Sequence, residues 1–173
     1  MDVRCPIGKF EFDGKITSNV LNTWISDLEQ LPFSLREAVK DLNEEQLDTT
    51  YREGGWTIRQ VVHHLADTGM NYYVRIKLAL TEENPVINTF EESRWAELPD
   101  NYLPVEVSLS LLEALHIRFS NLLRNLSSND FEKIYTNPIS GEITLGFTIG
   151  LYSWHGKHHL AQITSLCERK GWA

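Results

Sequence analysis

The side chains best suited to chemistry in this sequence are its six histidines, which are His63, His64, His116, His155, His158 and His159. His155 and His159 are four residues apart. On a helix, both side chains would project from one face, one turn apart, and could share one cation. The same spacing also suits histidines that are hydrogen-bonded inside a core, so the metal hypothesis needs a third ligand.

A third candidate ligand lies on another predicted helix. On a helical wheel, His159 falls within the apolar stripe of its helix and His155 on the flank, while His64 flanks the stripe of an earlier helix. Inward-facing imidazoles are unfavourable without partners, and one metal ion satisfies all three. Three imidazoles from two facing helices leave coordination positions open, which is typical of a catalytic rather than a structural metal site.

The other polar candidates are weaker. His63 and His158 are predicted to point away from the apolar stripes, and His116 to form a hydrogen bond in the core. Asp67, one turn after His64, could accept a proton from a ligand ring, although a solvated surface carboxylate is an equal alternative. The sequence has no glycine-rich phosphate loop, no His-Glu-x-x-His sequence and no nucleophile elbow. It therefore identifies no general base.

Four long segments with apolar residues every three or four positions must position these histidines. Thr57 and Gln60 form a capping-box pattern, and Pro32 is expected to kink or break the first helix. The predicted elements are helices over 17–42, 57–81, 105–126 and 144–170, an arm over 1–14, a loop over 43–55, a short helix near 91–97 and a small hairpin near 137–141. They predict an all-α four-helix bundle, formed by a single domain over residues 1–173.

Composition narrows the class of protein. Hydrophobic residues make up 42% of the chain, and 24 acidic against 16 basic residues give a formal net charge of −8. This balance argues against nonspecific nucleic-acid binding, which requires clustered cations. The two cysteines, Cys5 and Cys167, do not form a disulfide framework pattern. Without an apolar segment long enough for a signal peptide or a membrane span, a soluble cytoplasmic protein is expected.

Two segments around the candidate ligands resemble the YfiT-like branch of the DinB superfamily. They are YREGGWTIRQVVHHLAD at 51–67 and LYSWHGKHHLAQ at 151–162, and the resemblance extends to residues 6–10 and 80–85. It implies an up-down-down-up four-helix bundle and one metal ion bound by His64, His155 and His159, the residues that the helical wheel also selects. Lys157 and Gln162 stand where relatives often carry further histidines, and neither position is a family ligand.

The resemblance also implies an activity, because such proteins are described as metal-dependent hydrolases or as bacillithiol S-transferases. One divalent ion per chain is expected, zinc with nickel as the alternative, together with a small-molecule substrate and a homodimer. The ion could activate a water for hydrolysis, or bind a low-molecular-weight thiol as a thiolate that attacks an electrophile. The lack of an identifiable general base favours thiol transfer. Hydrolysis and non-catalytic metal binding in a stress protein remain alternatives.

Overall fold

Each of the four predicted long segments forms a helix. The computed structural model describes residues 2–172, so Met1 and Ala173 lie outside it. Among the described residues, no helix has the length and apolar character needed to cross a lipid bilayer. The helices are α1 Ser18–Val39, α2 Glu44–Leu47, α3 Ile58–Thr81, α4 Glu92–Trp95, α5 Val105–Arg124 and α6 Leu145–Lys170.

Reciprocal capping boxes begin two of these helices. The Thr57 hydroxyl accepts from the Gln60 N–H, and the Gln60 side chain accepts from the Thr57 N–H, so the predicted start of α3 is confirmed. Asn43 and Gln46 make the same two bonds at the start of α2. The prediction of a loop over 43–55 is therefore wrong in its first part, because this second capping box stabilises a helical turn there.

The four long helices pack in the up-down-down-up arrangement. One buried cluster joins the N-terminal halves of α1 and α6 to the C-terminal halves of α3 and α5. A second cluster joins the opposite halves of the same helices. The helices α1 and α6 therefore run in one direction, and α3 and α5 run in the other. The predicted fold class is confirmed, and residues 82–104 make the long return that parallel neighbours such as α3 and α5 require.

A small antiparallel hairpin precedes α6, as predicted. Its strands are β1 Ile134–Asn137 and β2 Gly141–Thr144, with Tyr135 opposite Ile143. The hydroxyls of Tyr135 and Thr148 are hydrogen-bonded to each other at 3.0 Å, which attaches the hairpin to α6. Two 3₁₀ turns, Pro99–Tyr102 and Asp130–Glu132, complete the connections.

The expected break at Pro32 does not occur. Helix α1 continues through Pro32, which is buried, and ends at Val39 rather than at residue 42. Proline lacks the N–H that would bond to the Leu28 carbonyl four residues earlier. In this fold the carbonyl accepts instead from His116 Nδ1 on α5, at 2.6 Å. Because a neighbouring helix satisfies the freed acceptor, the proline can sit inside α1.

The return segment buries a face of α3 that was expected to be exposed. His63 is only 5% exposed, so the prediction that it points away from the core is wrong. Its Nε2–H donates to the Leu103 carbonyl at 3.0 Å, and its Nδ1 accepts from the Ser108 hydroxyl at 2.7 Å. Arg59, also buried, pairs with Glu44 of α2 on the same side. The helical-wheel prediction is wrong because α2, the return segment and the start of α5 cover the polar side of α3.

Candidate metal centre

Three histidines converge between the N-terminal half of α3 and the middle of α6. The Nε2 atom of His155 lies 3.2 Å from Nε2 of His64 and 3.2 Å from Nε2 of His159. One ring nitrogen from each of the three lies within 4.8 Å of the others. The structure therefore brings together the same three residues that the sequence singled out.

These nitrogen atoms fit a divalent ion better than they fit one another. A neutral imidazole has one donor and one acceptor, so three Nε2 atoms facing each other cannot all be satisfied by mutual hydrogen bonds. Ligands about 2.0–2.1 Å from a tetrahedral ion lie about 3.3 Å apart, close to the observed separations. In addition, Nδ1 of His155 is buried and has no hydrogen-bond partner among residues 2–172. The donor set and its spacing suit zinc and similar metals.

Burial keeps the three imidazoles neutral. Loss of hydration lowers the pKa of His64 to about 4. The pKa values of His155 and His159 lie well below the usual value, first because of burial and then because of the neighbouring histidines. At neutral pH the lone pairs of all three rings are therefore available to a cation, without prior release of a proton.

Apolar and hydroxyl groups surround the three rings. The indole of Trp56 lies 4.6 Å from the His64 ring and stacks on His159 at 6.2 Å. The Thr68 hydroxyl is 3.5 Å from Nδ1 of His64. Behind His155, Gly156 lets α6 approach α1, since a Cβ there would lie 2.5 Å from Cδ2 of Leu31. Neither Trp56 nor Thr68 was predicted to be part of the site.

Asp67 does not take the role considered for it. Among residues 2–172, no hydrogen bond joins its carboxylate to His64, and Thr68 occupies that side of the ring instead. Asp67 is partly buried, and burial followed by the nearby charge of Asp100 raises its pKa to about 6. The structure thus leaves the three histidines without a bonded carboxylate in the part of the chain that it describes.

For the two remaining histidines, one prediction is confirmed and the other is wrong. His116 is a core residue, as expected: its Nδ1–H donates to the Leu28 carbonyl, and its Nε2 accepts from the Tyr152 hydroxyl at 2.7 Å. His158 was expected to face away, but it is 9% exposed and stacks on Trp154 with ring centroids 4.8 Å apart. The N-terminal arm contacts Trp154 and Gln162, one turn before and one turn after His158, and so covers this side of α6.

Gln162 belongs to the site, although the sequence predicted only that it is not a ligand. Its side chain contacts Nδ1 of His159 at 2.9 Å, Nε2 of His158 at 2.9 Å and the Arg4 carbonyl at 3.0 Å. The available signal was its spacing, because residue i+3 on a helix shares a face with residue i. The contact with the arm was not predictable in that way.

A sequence model of the DinB superfamily matches residues 27–163. The chain belongs to this superfamily. A protein of Oceanobacillus iheyensis is 60% identical over 172 residues, covering 99% of this chain and 100% of its own length. A protein of Bacillus mycoides strain KBAB4 is 55% identical over 171 residues, covering 99% of both chains. Both are provisionally named metal-dependent hydrolases.

A solved structure of another protein has the same fold. YfiT from Bacillus subtilis, described as a probable metal-dependent hydrolase with an unusual four-helix bundle topology, superposes with a TM-score of 0.96. It is 44% identical in sequence, and the match covers 100% of both chains. The membership of the DinB superfamily expected from the sequence is therefore confirmed.

Proposed function

We propose that this protein is a metal-dependent hydrolase whose divalent ion is bound by His64, His155 and His159. The observation that carries the proposal is the convergence of three neutral imidazoles from two helices, whose Nε2 atoms face one another. Structural metal sites usually have four protein ligands, whereas three ligands leave room for substrate. The provisional names of the two bacterial relatives support the same class of activity.

The three histidines and the residues around them would favour this chemistry. A divalent ion held by three imidazoles supplies a Lewis acid that lowers the pKa of a coordinated water or thiol. Burial by the bundle keeps the ligand rings neutral, and Trp56 covers the His64 and His159 rings on one side. An apolar wall of this kind excludes water from part of the site and offers a surface to the apolar portion of a substrate.

Thiol transfer is the second candidate, and one observation favours it. Among residues 2–172, no carboxylate is hydrogen-bonded to the three histidines, so the contacts of these rings identify no carboxylate base for a coordinated water. A thiol bound to a metal ion needs no such base, because the ion alone favours the thiolate. Zinc as the native ion, with nickel as the alternative, and the homodimer also stay proposals.

Activity panels on metal-loaded protein separate the candidates. Zinc-loaded and nickel-loaded protein should be assayed with ester and amide substrates, and separately with monochlorobimane plus bacillithiol, glutathione or mycothiol. Metal-dependent turnover of an ester or amide, lost in His155→Ala, would support hydrolysis. Turnover only in the thiol panel would support thiol transfer. Stoichiometric metal binding without turnover in either panel would contradict both and favour a metal-binding protein.

A further inference from the structure

The side chain of Gln162 joins the candidate metal centre to the N-terminal arm. One end of its amide faces Nδ1 of His159, and the other faces both the Arg4 carbonyl and Nε2 of His158. Gln162 is 3% exposed, so water does not compete for these contacts. All three hydrogen bonds that the structure shows for this amide are therefore made with protein groups.

The orientation of this amide follows from the chemistry of its partners. A backbone carbonyl only accepts hydrogen bonds, so the amide atom facing Arg4 must be the NH₂ group. The atom facing His159 is then the carbonyl oxygen Oε1, which also only accepts. His159 must therefore carry its proton on Nδ1 and donate it to Oε1. In a neutral ring this leaves the Nε2 lone pair free, and Nε2 is the atom that faces the other two histidines.

The same argument assigns His158. Its Nε2 faces the second N–H of the Gln162 amide, so it accepts, and the proton of the neutral ring is on Nδ1. That Nδ1 is buried and has no hydrogen-bond partner in the described part of the chain. His158 therefore helps to hold the amide in one orientation, although it provides no nitrogen to the three-histidine cluster.

A second contact fixes the arm to α6 close to the ligands. The Trp154 indole N–H donates to the Gly8 carbonyl at 3.1 Å. The arm's Phe10 packs edge-on against Trp24 and Phe147, with centroids 6.3 and 5.2 Å apart. A Cβ at Gly150 would lie 2.9 Å from the Phe10 ring, so a glycine is needed there for this approach. The position of the Arg4 carbonyl is thus set by packing, and not by Gln162 alone.

We propose that Gln162 is a positioning residue that holds His159 in its metal-binding tautomer and links metal binding to the order of the N-terminal arm. The inference rests on the proposed metal centre. Groups that hold the second nitrogen of a ligand histidine typically change metal affinity by about 10–100-fold when they are removed. Because coupling between two sites is reciprocal, metal binding should also tighten the arm.

Two substitutions separate the two functions of the amide. Gln162→Leu removes both the acceptor for His159 and the donor for Arg4. Gln162→Glu keeps a carboxylate oxygen to accept from His159 Nδ1–H, but has no N–H for the Arg4 carbonyl. Gln30→Leu is the matched control, because Gln30 is exposed on α1 and makes no side-chain hydrogen bond among the described residues.

Zinc affinity is measured by competition with a chromogenic chelator, and arm order by hydrogen–deuterium exchange of residues 2–12 with and without zinc. Gln162→Leu should weaken zinc binding by about 10–100-fold, whereas Gln162→Glu and Gln30→Leu should bind within a few-fold of wild type. Zinc should slow exchange in the arm of the wild-type and Gln30→Leu proteins, and have little effect on the arm in either Gln162 variant.

Each other outcome contradicts a specific statement. Wild-type zinc affinity in Gln162→Leu would overturn the positioning role. Zinc protection of the arm in Gln162→Glu would overturn the link to the arm. Failure of the wild-type protein itself to bind zinc or nickel would contradict the proposed metal centre, and the Gln162 inference with it. Circular dichroism of each variant shows whether a lost affinity comes from loss of the fold.

Discussion

Two histidine sites in the bundle, His116 and the three-histidine cluster, use the imidazole ring in opposite ways. His116 has a carbonyl partner on one nitrogen and a hydroxyl partner on the other, so its hydrogen-bonding capacity is complete. In the three-histidine cluster, the Nε2 atoms of His64, His155 and His159 face each other, and Nδ1 of His155 has no hydrogen-bond partner within residues 2–172. Both sites lower imidazole pKa values by burial. Unused lone pairs, rather than burial, therefore distinguish the candidate ligand site from the structural histidine.

The largest expected difference between the two sites is in metal affinity. His155→Ala removes the candidate ligand that contacts both other histidines, and should weaken zinc binding by at least about 1,000-fold, or about 4 kcal/mol. His116→Gln should bind zinc as the wild type does, because His116 has no nitrogen in the cluster. Elemental analysis and chelator competition measure both. Stoichiometric zinc in the His155 variant would remove the distinction between the sites.

In the metal-free protein, substitution of His116 should lower stability more than substitution of His155. His116→Leu leaves the Leu28 carbonyl and the Tyr152 hydroxyl buried without partners, and should lower the free energy of unfolding by about 3 kcal/mol. His155→Leu replaces a ring whose buried Nδ1 has no hydrogen-bond partner among the described residues, so it should not lower the stability of the apoprotein. Denaturant unfolding followed by circular dichroism tests the pair. Equal destabilisation by the two changes would argue against the contrast.

Metal should stabilise the fold without creating it. The two buried clusters on the long helices form a core that needs no metal staple in a chain of this size. Chelation should leave helical content unchanged, and zinc at 100 times its dissociation constant should raise the free energy of unfolding by about 2.7 kcal/mol. His155→Ala should show no such increase. A collapse of helicity on chelation would mean that the site is structural.

The smallest expected effect is a difference in pH dependence. Burial lowers the pKa of folded His116 below the ordinary value of about 6.5, so below that pH the unfolded chain binds a proton that the native state does not. Stability therefore falls as the pH drops through 6.5, by up to about 1.4 kcal/mol per pH unit for one histidine. His116→Gln lacks this term, so acid should destabilise it less than the wild-type apoprotein. Parallel profiles from pH 7 to 5.5 would show that His116 titrates normally in the fold.

The sequence by itself determined the helical framework and the candidate ligands. Capping by Thr57 and Gln60 involves residues three positions apart, and the four-residue spacing of His155 and His159 places both on one face of α6. These features depend on neighbours within about one helical turn, so the chain carries them in any fold in which the segment is helical. His64 was predicted as the third candidate ligand because the apolar stripes of α3 and α6 both face the core.

Only the tertiary structure decided which distant polar groups form hydrogen bonds with those helices. The Leu28 carbonyl that Pro32 leaves free is satisfied by a residue 88 positions away, and Gln162 is oriented by a carbonyl 158 positions away. Leu103 in the return segment contacts His63, and the N-terminal arm contacts the α6 residues beside His158, on the faces where a helical wheel places solvent. Periodicity reports the environment that a helix requires on its apolar side. It contains no information about which loop or arm will cover the other side, because that depends on how distant segments pack.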